Sequence, residues 1–354
     1  LVKAQFARAV DAGSLAGARS LRLGQAAARE RAMSIAALNG VEDGRDGVSL
    51  NMVFGVNEDG EQTVRLDASR EVPTLLMRIL GIEDVTVQAG AVAAVPPVDL
   101  SLVLDQSGSL GRALAWDDLQ LAARSFVDHF DDNIDQLGLL SFQLRGTERF
   151  PLAGGFKNAI KVKIGQMRSN GDTNVGEGLR LAHEQLTGIT ARDRSAKVVV
   201  FFTDGRPTAF RGFINGRDRM LAVYTTGTSV RGYFNRPNRL PTDDVARASG
   251  CRGRRSCFGW TEADIRAQAR QLGLDRASQI REAGIFVYSI GLGNPNATNE
   301  LETPDMEYLK LIANEKGVAN PNQPAGKAYF APSAAQLREV FEQVASDLLV
   351  RLAQ

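Results

Sequence analysis

Five oxygen-bearing side chains stand in three short, glycine-containing segments of the sequence. Asp105, Ser107 and Ser109 lie in the run DQSGS, Thr173 lies in NGDTN, and Asp204 lies in TDGR. Carboxylates and hydroxyls, without thiolate or imidazole, are the ligand set of a hard cation. Two serines two positions apart in a turn can direct both hydroxyls at one point. The five side chains therefore predict a site for one divalent cation, with Mg²⁺ preferred over Ca²⁺ or Mn²⁺.

The composition of this site indicates binding rather than catalysis. A small octahedral ion usually keeps several waters when a protein holds it, so two serines, one threonine and two aspartates would leave at least one position open. A carboxylate from a partner could fill that position. The alternative interpretation is that the five residues only cap helices.

A hydrolase site is disfavoured by the same sequence. Ser107 stands in an SGS context that resembles a reactive serine, but the nucleophile-elbow spacing G-x-S-x-G is absent there. Neither His129 nor His183 is placed for a matching role. The sequence contains no GxxxxGKS phosphate-binding loop, so nucleotide turnover is also disfavoured. We therefore predict that the protein is not an enzyme.

From Val98 onward, strand-like segments alternate with amphipathic helical segments, and these elements would position the five residues. Short buried strands are predicted at 99–105, 136–142, 197–204, 285–292 and 327–331. This alternation is typical of an α/β fold with a doubly wound, mostly parallel sheet. Loops at the carboxyl ends of such strands meet at the topological switch point, where ligands bind. We expect the three oxygen-rich segments to meet at that edge.

The first 97 residues have a different pattern. Abundant alanine and the near-helical spacing of apolar residues predict one long helix over 1–38. The strand-like runs SLNMVFGV, TVRLDAS and DVTVQAGAVAAV follow it. Pro96 and Pro97 then interrupt the chain, as at a domain boundary. We predict a small amino-terminal α+β domain over 1–97 and an α/β domain over 98–354.

An arginine-rich insertion is predicted at about 206–260, because the connection between the strands on either side is far longer than this fold requires. The segment holds eleven arginines and three aspartates, a net charge of +8, while the whole chain carries +1. Its group Arg252, Arg254 and Arg255 could bind an anionic surface, and the alternative is a solvated or neighbour-docked loop. The near-neutral whole chain gives no global field for nucleic acid, so no specific nucleic-acid partner is predicted.

Two cysteines, Cys251 and Cys257, lie six positions apart in this insertion. Their spacing favours a small disulfide-closed loop over free thiols and so indicates an oxidising compartment. Two cysteines without a nearby histidine are too few for a structural zinc site. The sequence has no run of about 18 to 20 apolar residues that could span a bilayer, and we expect any anchor to lie upstream of Leu1.

The order Asp-x-Ser-x-Ser at 105–109, then Thr173, then Thr-Asp-Gly at 203–205 resembles the metal-ion-dependent adhesion site (MIDAS) of von Willebrand factor type A domains. The resemblance covers roughly 98–354 and implies a Rossmann-like fold. It implies that the three hydroxyls are direct or near-direct ligands of the ion. The two aspartates would bind the ion directly or through water.

A second resemblance concerns the amino-terminal part. The runs LVKAQFARAVDAGSLAGAR and VPTLLMRILGIEDVTVQAGAVA, with TDGRPTAFRG further on, are similar to TadE/TadG-like proteins of bacterial tight-adherence (Tad/Flp) pili. In that family a membrane-spanning or pilin-like helix precedes this segment. The resemblance implies a pilin-like first domain and an extracytoplasmic, membrane-anchored protein of the cell envelope, on the pilus, outer surface or periplasmic side, with other pilus or envelope subunits as partners.

Three functions are consistent with the sequence. The first is a metal-ion-dependent adhesion or pilus-assembly protein whose cation binds a carboxylate of a protein or glycan partner. The second is a structural pilin-like subunit with a vestigial metal site. The third is an intracellular type A domain that serves an ATPase, which the cysteine pair and the pilus-like segment disfavour.

Overall fold

The structure is a computed structural model that describes residues 2–58, 60–74, 77–223, 229–235, 245–247, 251, 255–293 and 305–352. The chain divides into two compact units, of which the second is Val98–Ala345. The first contains the residues before Val98 and the end of the last helix from Ser346. Each unit buries its own cluster of apolar side chains.

Two helices open the first unit, α1 (Val2–Ser20) and α2 (Gln25–Leu38), with a 3-10 turn at Leu21–Leu23 between them. The prediction of one long helix over 1–38 is therefore wrong. The break falls at Gly24, whose φ of 107° lies in a region that side-chain-bearing residues rarely adopt. Helical periodicity resumes after this residue, so the spacing of apolar residues alone does not reveal the break.

The two helices pack closely through small residues. A Cβ added at Gly13 would lie 3.1 Å from the backbone oxygen of Ala32, and one added at Gly17 would lie 3.1 Å from the Cβ of the same alanine. Ala28, Ala32 and Ala36 are fully buried in this contact region. The alanine content of the segment therefore serves helix-on-helix packing as well as helix formation.

The sheet of the first unit is antiparallel, with strand order β1-β2-β3. Its strands are β1 (Ser49–Val56), β2 (Gln62–Pro73) and β3 (Asp84–Val95), and a 3-10 turn lies at Met77–Leu80. Alternate side chains of β1 and β2, including Met52, Val64 and Leu66, join the same apolar cluster as the helices. The unit is thus a small α+β fold.

Helices and strands of the second unit alternate along most of its length. In chain order they are β4 (Val98–Asp105), α3 (Gly108–Arg112), α4 (Trp116–Asp128), β5 (Gln136–Phe142), β6 (Gly146–Ala153), α5 (Lys157–Gln166), α6 (Val175–Thr187), β7 (Ala196–Thr203), β8 (Ala209–Ile214), β9 (Arg217–Val223), β10 (Val230–Asn235), β11 (Val245–Arg247), β12 (Ser256–Cys257), β13 (Trp260–Thr261), α7 (Glu262–Glu282), β14 (Phe286–Leu292), α8 (Met306–Ala313), β15 (Lys327–Ala331) and α9 (Leu337–Leu352).

The central sheet has the strand order β15-β14-β7-β4-β5-β6. Every neighbouring pair is parallel except β5 and β6, which pair antiparallel at one edge. All eight residues of β4 are buried, as expected for a strand covered by helices on both faces. The predicted α/β, doubly wound, mostly parallel fold is confirmed.

The insertion forms a second sheet rather than an extended loop. Its antiparallel strands lie in the order β11-β10-β9-β8, and β8 and β9 meet at a tight turn in which Asn215 and Gly216 have φ of 48° and 72°. Phe210, Leu221 and Val230 pack from one face of this sheet in a cluster that includes Ile265 and Ala269 of α7. None of the helices within the described ranges is both long and apolar enough to cross a membrane.

Candidate metal site

The two aspartates of the predicted site leave adjacent parallel strands. Asp105 is the last residue of β4, and Asp204 directly follows the last residue of β7. These strands pair in register, with Leu104 opposite Phe202. Both carboxylates therefore lie at the carboxyl edge of the sheet, where the fold places its ligand-binding crevice.

The two serine hydroxyls converge on one oxygen of Asp204. Oγ of Ser107 lies 2.9 Å from Oγ of Ser109. The Asp204 Oδ1 atom accepts hydrogen bonds from Ser109 Oγ at 2.9 Å and from Ser107 Oγ at 3.3 Å. Three oxygens from two separate loops thus form a triangle at the edge of the sheet.

This triangle has the dimensions of one face of a small coordination octahedron. Ligands 2.0–2.1 Å from an octahedral Mg²⁺ lie about 2.9 Å from their neighbours, whereas the longer bonds of Ca²⁺ require about 3.3 Å or more. The observed edges of 2.9, 2.9 and 3.3 Å lie nearer to the smaller ion. The oxygens at this edge fit a divalent cation, with Mg²⁺ or Mn²⁺ closer in size than Ca²⁺.

Asp105 lies behind the triangle and is fully buried. Its Oδ1 accepts the backbone N–H of Ser107 at 2.7 Å, and its Oδ2 accepts the Thr203 hydroxyl at 2.6 Å. These two bonds fix the start of the DQSGS loop against the end of β7. Asp105 therefore holds the serines in place, and in its ionised form it would supply negative charge to the site.

Helix capping does not account for Ser107. Ser107 is the N-cap of α3, yet its hydroxyl makes no capping hydrogen bond to that helix. The hydroxyl instead lies between Ser109 and Asp204. The interpretation of this side chain as only a helix cap is disfavoured.

The loop of Thr173 reaches the same edge through the backbone of Gly171. The Gly171 oxygen accepts the N–H of Gly108 at 3.1 Å, and Thr173, two residues further on, is buried. The hydrogen bonds that join the other four residues do not include the Thr173 hydroxyl. The structure thus joins four of the predicted residues by direct hydrogen bonds and brings the loop of the fifth against them.

Two buried carboxylates so close together hold their protons strongly. Burial, aided by the negative charge of Asp204, raises the pKa of Asp105 to about 8. Burial also raises the pKa of Asp204 to about 6, although hydrogen bonds from the serines and the charge of Arg112 oppose the rise. A divalent cation at this edge would stabilise both ionised forms and lower both pKa values. The electrostatics and the oxygen geometry therefore favour the same occupant.

Thr203 is a site residue that the sequence prediction did not include. Its hydroxyl orients Asp105. The position of Thr203 in the Thr-Asp-Gly run could have pointed to it. At Gly171, whose φ is 90°, an added Cβ would clash with Gln143 Oε1, so the close approach of the two loops requires glycine there.

The cysteine prediction is confirmed, because Cys251 and Cys257 form a disulfide. Of the predicted anionic-surface residues, Arg255 is exposed, while Arg252 and Arg254 lie outside the described residues. Part of the positive charge of the insertion is neutralised internally. Arg211, for example, binds Asp218 at 2.6 Å.

Comparison with known proteins identifies the fold family of the second unit. The sequence model of the von Willebrand factor type A (VWA) domain matches residues 99–235. The chain contains a VWA domain. No curated protein matches the chain as a relative, and the Tad-type resemblance of the first 97 residues stays a prediction.

Solved structures with VWA domains have similar folds. The vWF domain of the type V pili tip protein Mfa5 from Porphyromonas gingivalis is 16% identical, with a TM-score of 0.50, and the match covers 73% of this chain and 97% of that one. A point mutant of the PilB minor pilin from Streptococcus sanguinis is 16% identical, with a TM-score of 0.51 and coverage of 87% and 80%. At these identities the similarity shows the fold alone.

A third structure is proximal thread matrix protein 1 from the mussel byssus, described with a zinc-occupied MIDAS motif. It is 18% identical, with a TM-score of 0.43, and the match covers 72% of this chain. This chain spans only 46% of the length of the mussel protein.

Proposed function

We propose that the VWA domain binds one divalent cation through Asp105, Ser107, Ser109, Thr173 and Asp204 and captures a carboxylate of a partner at the open coordination position. The observation that carries this proposal is the triangle formed by two serine hydroxyls and one aspartate oxygen, with edges of 2.9, 2.9 and 3.3 Å. Mg²⁺ is the proposed ion, and Mn²⁺ and Ca²⁺ are the alternatives that a titration separates.

The charges of the ligand set favour an anionic partner. Two carboxylates balance the two positive charges of the ion, and the hydroxyls of Ser107, Ser109 and Thr173 add none. A site with more carboxylates would repel a further anion, whereas this one would still accept one. The bound ion supplies an electrophilic point for the partner's carboxylate, and the protein supplies the geometry. Binding of this kind requires no nucleophile or general base, so we propose no enzymatic activity.

The setting that we propose is extracytoplasmic, in adhesion or pilus assembly at a bacterial cell envelope. Support comes from the Cys251–Cys257 disulfide, since such bonds persist in oxidising compartments. Two solved structures with similar folds, at TM-scores of 0.50 and 0.51, are described as a pili tip protein and a minor pilin. The partners would be protein or glycan ligands that present a carboxylate, together with other pilus or envelope subunits of Tad type. A membrane anchor upstream of Leu1 is part of the same proposal.

The structural-subunit and ATPase-partner alternatives predict different results for metal binding and for the disulfide. A structural pilin-like subunit with a vestigial site would bind no ion and would attach equally well without one. The buried, mutually hydrogen-bonded oxygens of the site favour a working site over a vestigial one. If the protein were an intracellular partner of an ATPase, the disulfide between Cys251 and Cys257 would have to persist under reducing conditions. Both cysteines are buried in the core of the insertion, so the packing of that core includes this bond.

Calorimetric titration of the purified chain with Mg²⁺, Mn²⁺ and Ca²⁺ tests the metal site. We expect one site per chain, lost in Asp105→Ala and Ser107→Ala and kept in the control Ser34→Ala, which changes an exposed serine of α2. Binding of immobilised peptides that carry one Asp or Glu should require the cation and should not form when chelator is present before the peptide is added. Peptide binding that is equal with chelator and in the Ser107→Ala variant would refute the proposal.

A further inference from the structure

Two arginines project from one face of the insertion sheet. Ala222 of β9 pairs with both Ala209 of β8 and Arg231 of β10, and in the next row Met220 pairs with Arg211 and Tyr233. Directly paired residues of an antiparallel sheet point to the same side, and side chains two positions apart along a strand share that side. Arg211 and Arg231 therefore share a face, opposite to the one that packs with α7.

The partners of these arginines flank Thr173. Arg231 Nη2 lies 2.5 Å from Oδ1 of Asp172, the residue immediately before Thr173. Arg211 Nη1 lies 3.6 Å from Oε2 of Glu177, on the first turn of α6. Both carboxylates are almost inaccessible, with side-chain exposures of 7% and 6%. Ion pairs to buried carboxylates on either side of one loop restrict where that loop can lie.

The backbone of Thr173 is fixed by the same sheet. The Thr173 N–H donates to the Thr208 hydroxyl at 2.9 Å, and the Thr173 oxygen accepts the Thr208 N–H at 2.9 Å and the Ala209 N–H at 3.2 Å. Thr208 in turn is four residues after Asp204. The start of the insertion thus holds the loop of the proposed ligand Thr173, and it lies close in sequence to the proposed ligand Asp204.

We propose that Arg231 and Thr208 are positioning residues for the Thr173 ligand, so that the insertion sheet sets the cation affinity of the VWA domain. This inference rests on the proposed metal site. Without Arg231, the Thr173 loop loses the ion pair that ties it to β10, and the buried Asp172 carboxylate is left without this partner. A loop without this tie no longer fixes the Thr173 hydroxyl, even when the Asp172 charge is also removed. Loss of a residue that orients a metal ligand typically weakens metal binding about 10-fold to 100-fold.

Metal titration of the full chain and four variants tests this inference. We expect Arg231→Ala and Thr208→Val to weaken Mg²⁺ binding at least about tenfold. Arg217→Ala, which changes an exposed arginine of the same sheet, should bind as the wild type does. The double variant Asp172→Ala/Arg231→Ala removes both charges of this ion pair, so its melting temperature should recover toward the wild-type value while its Mg²⁺ affinity stays low.

Each outcome of this experiment supports or overturns the inference. If the wild type binds Mg²⁺ and Arg231→Ala and Thr208→Val bind it equally well, the inference is overturned and the metal site stands. If affinity and melting temperature recover together in the double variant, Arg231 acts only through stability, which also overturns it. A wild-type chain that binds no cation overturns the proposed function and this inference with it. If Arg231→Ala does not fold, Thr208→Val and the double variant decide.

Discussion

Without a cation, the buried aspartate pair should make the protein less stable as the pH rises. The ordinary pKa of an aspartate is 3.8, whereas the pKa of Asp105 in the folded chain is raised to about 8 by burial and by the charge of Asp204. The folded state therefore binds this proton more tightly than the unfolded chain does. Its contribution to stability is complete below the unfolded pKa and is lost as the pH rises through the folded pKa.

The size of this loss of stability follows from the shift in the pKa of Asp105. About four pKa units, at about 1.4 kcal/mol per unit, correspond to a loss of roughly 6 kcal/mol in the free energy of unfolding between about pH 4 and pH 8. That is a large share of the stability of a typical domain. Saturating Mg²⁺ should abolish most of this loss, because the ion stabilises the ionised carboxylates in the folded state alone.

Urea unfolding at a series of pH values, with chelator and with Mg²⁺, measures this loss. Asp105→Asn is the matched control, since its amide keeps an acceptor for the Ser107 N–H and a donor that the Thr203 hydroxyl can accept, but cannot ionise. In chelator the variant should lose less stability than the wild type as the pH rises, and Mg²⁺ should not rescue it. Parallel pH profiles for the two proteins in chelator would refute the reasoning.

Three further predictions concern other parts of the molecule. Thr203→Val removes the 2.6 Å hydrogen bond to Asp105 and should cost about 1–3 kcal/mol in urea unfolding, with weaker Mg²⁺ binding in calorimetry. Gly24→Ala should destabilise the first unit by roughly 1–3 kcal/mol through backbone strain alone, since nothing lies within 4 Å of the added Cβ, and an unchanged unfolding midpoint would contradict this. A triple alanine variant should weaken attachment to anionic surfaces more at low salt than at high salt, and attachment that does not depend on salt would exclude that role. Its substituted residues are Arg252, Arg254 and Arg255.

The central sheet could be predicted closely from the sequence. Its strands are short apolar runs bounded by polar turns, so predicted and observed bounds agree to within one residue at 136–142 and 327–331. Burial on both faces gives such strands a signal that does not depend on distant contacts. The edge strand β6 (Gly146–Ala153) was not predicted, because only one of its eight residues is fully buried and its pattern is mixed.

The helix break and the insertion sheet were harder to predict for different reasons. The break at Gly24 lies between two alanine-rich segments, each of which continues a helical pattern, so only the backbone conformation of one glycine separates them. The insertion did carry a local signal, Asn215-Gly216 between two mixed apolar runs, which is typical of a hairpin turn. Its dense arginine content favoured the interpretation as a patch that binds an anionic surface, with a solvated or neighbour-docked loop as the alternative, and no sheet was predicted.

At the site, residue type and order selected the five proposed ligands, but they did not reveal the hydrogen bonds that join four of these residues. The convergence of Ser107 and Ser109 on Asp204 depends on the pairing of β4 with β7, which joins residues 97 and 95 positions apart. The contacts of Thr208 and Arg231 with the Thr173 loop depend on how the insertion folds back. Sequence spacing contains no information on that step.

The uneven burial of the five proposed ligands has a kinetic consequence. Asp105, Ser107, Thr173 and Asp204 are buried, whereas Ser109 is partly exposed, so water reaches the site from the Ser109 side. An ion would enter and leave on that side, which is also where a partner's carboxylate would approach. A bound partner would then close the exit, and ion release would become slow compared with partner exchange. Attachment would protect its own cation from chelators, so a contact once made could outlast a fall in the surrounding ion concentration.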